Sequence, residues 1–418
     1  MESTSNERQG YIQSLTVGDV NYGVDATRPA KREPETEQPR QSNRLALVQP
    51  WKHFWPPVVG SETWKRLQRE HPEVFACRFD INRPYDRPWR RWTAPSSVDG
   101  AGHALRHMPS SSWRSGGRQP LATRRDVQQE RQALDRQIRQ LNLPYVVPEN
   151  FNHLAPLEVY QREKPYKCQL PESCFPGFKM DNLVAKNYRV AISEVTGVEH
   201  LFTLNTSGFE FTKCPVTLRE WSDEAVETRY LPGIVQWLKE RLGCWDVFCY
   251  AYNFRHYNPN QKQAGQQNSF KPPFLRAHCD ASESTCQARL RLYYPDNYTE
   301  LMRGRVRFIN IWRPISPAPV EDCPLAMCDF RTVDREDLVP MDIVYPHFVD
   351  EAYEVRYNPA HRWFYKKGIT QEDAIVFKLF DSEAREATVC PHSAFVDPSA
   401  PVDAPRRASI EVKAIVLG

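Results

Sequence analysis

From about Leu157 to the C-terminus the sequence is a succession of short apolar runs, each closed by turn-forming residues, and this feature restricts the fold most. The runs read "WDVFCYAYNF", "PFLRAHCD", "RVRFINIW", "AYEVRYN", "HRWFYKK", "AIVFKLFDS", "TVCPHSAFVD" and "RASIEVKAIVL". Each has the length of a strand, and little helical periodicity separates them. Many strands with few helices must bury one sheet against another, so an antiparallel sandwich or barrel is predicted. In "HLFTLNTSGFEF" Gly208 predicts a hairpin turn between two alternating runs. An amphipathic helix is expected at "LPGIVQWLKERLG", where Ile234, Trp237, Leu238, Arg241 and Leu242 share a stripe and Gly243 ends it. Residues 257–273, rich in Asn, Gln and Pro, predict no regular element. The expected class is mainly β with flanking helices.

Upstream of this body the composition changes. Residues 1–45 are polar, rich in Glu, Arg, Gln and Pro, and predict a disordered tail. Residues 46–156 read as an N-terminal extension with an Arg/Trp/Pro-rich insertion and a helix at "DVQQERQALDRQIRQLNLP". There Val127, Leu134, Ile138 and Leu141 fall near one face, suited to docking on the chain's own body, and Pro144 stops the run. That leaves 157–418 as the main domain. Between Arg78 and Arg125 arginines alternate with Trp89, Trp92 and Trp113, as a groove for single-stranded nucleic acid would; a surface insertion without periodicity is the ordinary alternative. The net charge of +3 over 418 residues is too small to point to nucleic acid for the whole chain.

No stretch approaches the roughly 18 apolar residues of a spanning helix, and no secretory leader opens the sequence. Eleven cysteines, an odd number without a CxxC pair, read as reduced thiols. A cytoplasmic protein with no membrane contact is expected. "EKPYKC" (163–168) with Cys174 looks like the start of a zinc finger, but the histidine pair is missing, the next histidine being His200.

The chemistry concentrates in "RAHCDAS" (276–282), where His278 and Asp280 stand two residues apart. With 11 histidines, chance gives about one His-x-Asp in every two such chains, so context must decide. On a strand, residues i and i+2 share a face, which sets imidazole beside carboxylate and turns Cys279 away. A facial triad for iron(II) needs one more histidine and leaves positions open for cosubstrate and oxygen. His392 in "CPHSAFVD" is the candidate, on a late strand 112 residues beyond Asp280. Arg407 and Ser409 of "RRASIEV" share a strand face, and arginine's planar fork suits the distal carboxylate of 2-oxoglutarate. Each residue alone has an ordinary reading as a core histidine, a surface aspartate or a rim arginine; the ordered set points to chemistry.

The series "TLNTSGFEF", "RAHCD", "INIWRP", "PLAMCD", "VFKLFDS", "PHSAF" and "RASIEVKAIVL" resembles the fungal secondary-metabolite hydroxylase/desaturase family, related to gibberellin desaturase and the cephamycin methoxylation proteins. The resemblance covers about Leu157 to Gly418. It implies a double-stranded β-helix (jelly-roll) core and an oxygenase that uses Fe(II), 2-oxoglutarate and O2. It further implies His278, Asp280 and His392 as metal ligands and Arg407 with Ser409 on the cosubstrate. It assigns Asn310 to the cosubstrate carboxylate, Trp312 and Arg313 to the pocket wall, and Arg255 of "YNFRHYN" to a substrate or supporting contact. Core packing is the ordinary role for Trp312.

The implied substrate is a small-molecule natural-product intermediate, oxidised at a C–H bond by hydroxylation, desaturation or ring closure, and the implied assembly is a homodimer. Two departures from the family pattern are Ala408, where an acidic residue is usual, and the long N-terminal region. That region is open between a cap over the pocket, a dimer contact and a misdrawn gene boundary. Two rival readings are a redox-silent isomerase or accessory subunit on the same fold, and a nucleic-acid binder through residues 78–125.

Overall fold

Alternation along the longest runs decides the architecture. The computed structural model describes residues 132–133, 136–169, 179–256, 272–345, 349–383 and 387–418. Five runs form one sheet in the order Phe209–Lys213, Asp373–Asp381, Val306–Pro314, Ala408–Leu417, Asp246–His256, every neighbouring pair antiparallel. A second sheet has nine strands. Its middle runs Trp363–Tyr365, Leu325–Cys328, His392–Ala394, His278–Cys279, Val349–Val355. Phe151–Leu154 and Ala185–Tyr188 pair separately. The mainly β class is as expected.

On the five-stranded sheet Phe308, Trp312, Ile375, Phe377 and Ile415 face one way and pack with Leu325, Met327 and Phe364 of the other sheet. The main core therefore lies between the sheets. The alternate residues Ile309, Ile311, Val376, Ile410 and Val412 face outwards under Ile234, Trp237 and Leu238 of the helix Leu231–Leu242. Covered on both sides, Val306–Pro314 is buried at every residue, which is why "VRFINIWRP" reads as a nearly continuous apolar run. Each such aromatic contributes on the order of 2 kcal/mol by leaving water.

The helix ends where its sequence said it would, at Gly243 in the left-handed region (φ 57). Ile138 of the upstream helical segment is buried in the main core, whereas Leu141 is exposed. The rest of that stripe, the tail and the 78–125 stretch lie outside the described residues.

Two expectations are corrected. No hairpin forms about Gly208: Glu199–Leu201 is a 3-10 turn, and Phe209–Lys213 pairs with Asp373–Asp381 instead. Gly208 (φ 85) serves close approach, since a Cβ there would sit 2.9 Å from the Val389 carbonyl oxygen. A second helix, Glu283–Tyr293, was not expected; Ser282 Oγ caps it by accepting from the Thr285 N–H at 3.3 Å.

All nine described cysteines are buried and free. Among the described residues no helix is long and apolar enough to cross a membrane.

Asp381, at the end of its strand, is fully buried and pairs with the buried Lys378 and the part-exposed Arg305. Burial opposes its ionisation, but Arg305 and Lys378 outweigh it and hold the carboxyl below the ordinary aspartate value of 3.8. A depressed aspartate stabilises the fold above that value, and its contribution is lost as pH falls through the lowered one. Urea midpoints are expected to drop on going from pH 5 to pH 3, and Asp381→Asn should flatten that drop while lowering the midpoint at pH 5.

Candidate metal centre

His278–Cys279 and His392–Ala394 are sheet neighbours, and His278 lies directly opposite His392. Direct cross-strand partners project from the same face, so the imidazoles stand together with ring centroids 4.4 Å apart. Asp280 returns to that face, while Cys279 turns into the apolar layer behind the sheet. The three ligand atoms lie within 4.8 Å of one another, the only such group among the described residues.

Each imidazole is oriented by backbone. His278 Nδ1 is 2.8 Å from the Arg276 carbonyl oxygen and His392 Nδ1 is 3.1 Å from that of Cys390. A carbonyl only accepts, so each Nδ1 carries a proton, and in the neutral ring each Nε2 keeps its lone pair. Both Nε2 atoms face Asp280, His278 at 3.2 Å from Oδ1 and His392 at 3.9 Å from Oδ2. Burial first, then the neighbouring His278, lowers His392 to about 3, leaving it neutral over the physiological range. Burial opposes ionisation of Asp280, but Lys413 and the two histidines hold it well below the usual carboxylate range.

The carboxylate is held from the opposite sheet. Asn310 Nδ2 donates to Asp280 Oδ2 at 2.6 Å, and Lys413 Nζ stands 2.9 Å from the same oxygen. The Asn310 amide thus lies on a candidate ligand, and its Oδ1 is buried without a hydrogen-bond partner.

Arg407, Ser409, Glu411 and Lys413 alternate along the C-terminal strand and its entry, on the face turned to the main core. Arg407 is buried, donates to the Cys323 carbonyl at 2.5 Å and lies 5.4 Å from the centre of the Trp312 ring. Its Nε and the Ser409 hydroxyl are buried without a hydrogen-bond partner. Arg255 lies opposite Ser409 in the ladder and donates from Nη1 to the Pro272 carbonyl at 3.2 Å. Burial, and secondarily Arg255, lowers the affinity of Arg407 for its proton.

Arg313 is a correction. Being one residue from Trp312, it faces the outer side of the strand, donates to the Val216 carbonyl, and stacks towards Trp221 and Tyr230. It cannot bound a pocket at the three ligands. Trp312 itself faces inwards and packs in the main core.

Two site residues escaped the sequence reading. Glu411 is buried, and burial followed by Asp280 pushes its carboxyl up. Lys413 touches Asp280 directly. The signal was present: in "RASIEVKAIVL" two charged residues share the inward face with Ser409, which an ordinary buried strand does not carry.

Behind the histidines, Arg276 forks onto Glu354 with both contacts at 2.6 Å, and Glu354 is fully buried. That fork pins the residue whose carbonyl orients His278. Arg276→Ala is expected to weaken metal affinity about tenfold, in the range of lost outer contacts, with His278 still present; calorimetric cobalt(II) titration reads it.

The relatives agree with this chemistry. The chain is similar to the Fe(II)/2-oxoglutarate-dependent dioxygenase nvfI of Aspergillus novofumigatus, 26% identical over 251 residues that span 58% of this chain and 88% of the relative. It is similar to hydroxylase/desaturase CTB9 of Cercospora beticola, 30% identical over 234 residues covering 50% of this chain and 70% of the relative. Its fold matches the solved structure of the iron and alpha-ketoglutarate-dependent endoperoxidase NvfI, with a TM-score of 0.57 over 66% of this chain and 98% of that one, at 24% identity.

The protein is an Fe(II)/2-oxoglutarate-dependent oxygenase, and its cofactors are Fe(II), 2-oxoglutarate and O2. Residues 151–417 match the family described as Oxidoreductase/YMDC permease-like domain, and the chain belongs to that family.

Proposed function

We propose that the protein oxidises a C–H bond of a small-molecule natural-product intermediate, by hydroxylation, desaturation or oxidative ring closure, in a double-stranded β-helix (jelly-roll) core. Iron(II) is held by His278 Nε2, Asp280 Oδ1 and His392 Nε2. The observation that carries this reading is a pair of lone-pair-bearing Nε2 atoms turned on one carboxylate whose second oxygen the scaffold already binds. Two neutral imidazoles and a carboxylate are the donor set of non-haem iron(II) oxygenases, and they leave three positions open. Arg407 Nε and Ser409 Oγ, buried without partners, suit the distal carboxylate of 2-oxoglutarate.

Bound together, iron(II) and 2-oxoglutarate supply the oxidising power with O2, the cosubstrate leaving as succinate and carbon dioxide. The chain supplies orientation and exclusion of water. Phe377 and Phe274 flank the two imidazoles, with ring centroids 4.5 and 4.6 Å from His392 and His278. A redox-silent isomerase or accessory subunit has no use for an anion-ready arginine beside such a donor set. The oxygenase domain is assigned to 157–418, residues 46–156 to an extension and 1–45 to a tail, in a cytoplasmic homodimer. Nucleic-acid binding by 78–125 is not favoured for a small-molecule oxygenase.

Anaerobic titration of purified protein with iron(II) and then 2-oxoglutarate tests the assignment. A weak visible charge-transfer band is expected with wild type and absent with His278→Ala. No band from folded, iron-loaded wild type would overturn the ligand set and favour the redox-silent reading.

A further inference from the structure

We propose that Lys413 and Asn310 are positioning residues that confine Asp280 to binding iron through a single oxygen, and thereby keep a coordination position free for oxygen. This rests on the ligand set proposed above. Lys413 and Asn310 stand directly opposite each other on neighbouring strands of the five-stranded sheet. Both reach across to Asp280, which belongs to the other sheet, and both engage the same atom: Asn310 Nδ2 is 2.6 Å and Lys413 Nζ 2.9 Å from Oδ2. The oxygen they leave is Oδ1, which stands 3.2 Å from His278 Nε2.

A count of positions gives this its consequence. An octahedral ion has six, and three single-atom protein ligands leave three, enough for a two-point oxoacid chelate and one oxygen molecule. An aspartate bound through both oxygens would leave two, and the chelate would fill them. A carboxylate can bind in either mode, so something must choose. Here the second oxygen is occupied by an amide and an ammonium.

The arrangement is built into the fold rather than lying on its surface. Asn310 is fully buried, on a strand buried along its whole length. The Lys413 side chain is 14% exposed, and Glu411 Oε1 stands 3.6 Å away on its own strand as a second counter-charge. A buried ammonium persists only where carboxylates compensate its lost hydration. That cost is incurred here to hold one atom of one candidate ligand.

Cobalt(II), as a stand-in for iron(II), tests this in the full-length protein by infrared difference spectra of the carboxylate stretches and by calorimetric affinity. Wild type is expected to show the wide splitting of a carboxylate bound through one oxygen. Lys413→Met should narrow it to the two-oxygen value without weakening cobalt(II), and Lys413→Arg should restore the wide splitting. In the iron(II) form, Lys413→Met should keep the 2-oxoglutarate charge-transfer band while succinate formation falls by at least about tenfold. If Lys413→Met does not fold, Asn310→Ala, a smaller perturbation, decides.

Unchanged splitting in the folded variants would overturn the proposal, as would loss of cobalt(II) affinity alongside an unaltered wide splitting. Failure of the ligand set itself looks different: wild type would bind no cobalt(II), or Asp280→Asn would leave the carboxylate signal intact.

Discussion

His392→Ala protein is expected to bind iron(II) more than about 100-fold more weakly than wild type, beyond the ~10–100-fold that loss of an outer contact brings. The reason is geometric. His392 is buried, its Nε2 faces Asp280, and its Nδ1 is held by the Cys390 carbonyl. Alanine leaves nothing on that strand able to reach the ion, and the partner strand offers only His278 and Asp280. Calorimetry with cobalt(II) and the charge-transfer titration read the loss. A thermal melt separates it from unfolding. Retained affinity with a normal melt would remove His392 from the ligand set.

Arg407→Ala should raise the KM for 2-oxoglutarate by at least about 100-fold while leaving metal affinity unchanged. Charge-assisted hydrogen bonds contribute about 1.5–3 kcal/mol each, and a bidentate fork makes two. Arg407 is pre-oriented for this by the Cys323 carbonyl on one arm and the Trp312 ring beneath its plane. Arg407→Lys keeps the charge and loses the fork, so an intermediate KM is expected. A kcat loss at unchanged KM would instead make Arg407 a packing residue.

The strands were legible wherever a run is buried on both faces or alternates cleanly. "VRFINIWRP" and "AIVFKLFD" became central strands of the five-stranded sheet, as their β-branched and aromatic content required. The helix before Gly243 carried both its stripe and its stop. Gly208 misled because a turn glycine and a close-approach glycine look identical until the opposing segment, here Val389, is known. The helix Glu283–Tyr293 was hidden by a polar start that also reads as a loop, and only its Ser282 cap hinted at it.

Within the site, residue order was enough to gather His278, Asp280 and His392, since strand alternation fixes faces without knowledge of the fold. The same rule should have excluded Arg313, which stands next to an inward-facing tryptophan. The contact of Asn310 with Asp280 was not legible, because Asp280 is a residue of the opposite sheet and no local pattern reveals which sheets face each other. Lys413 and Glu411 were passed over because charged residues in a terminal strand are usually solvated.

The direct pairing of His278 with His392 has a consequence for how such a chain can change. The two lie far apart in sequence, yet what joins them is one rung of a ladder between very short strands. Segments between them can lengthen or shorten at their turns without disturbing the site, provided the rung is kept. A slip of a single residue in that pairing would turn one imidazole into the apolar layer beside Cys279. Loop length is thus free to drift with substrate, while the register of a few residues is not.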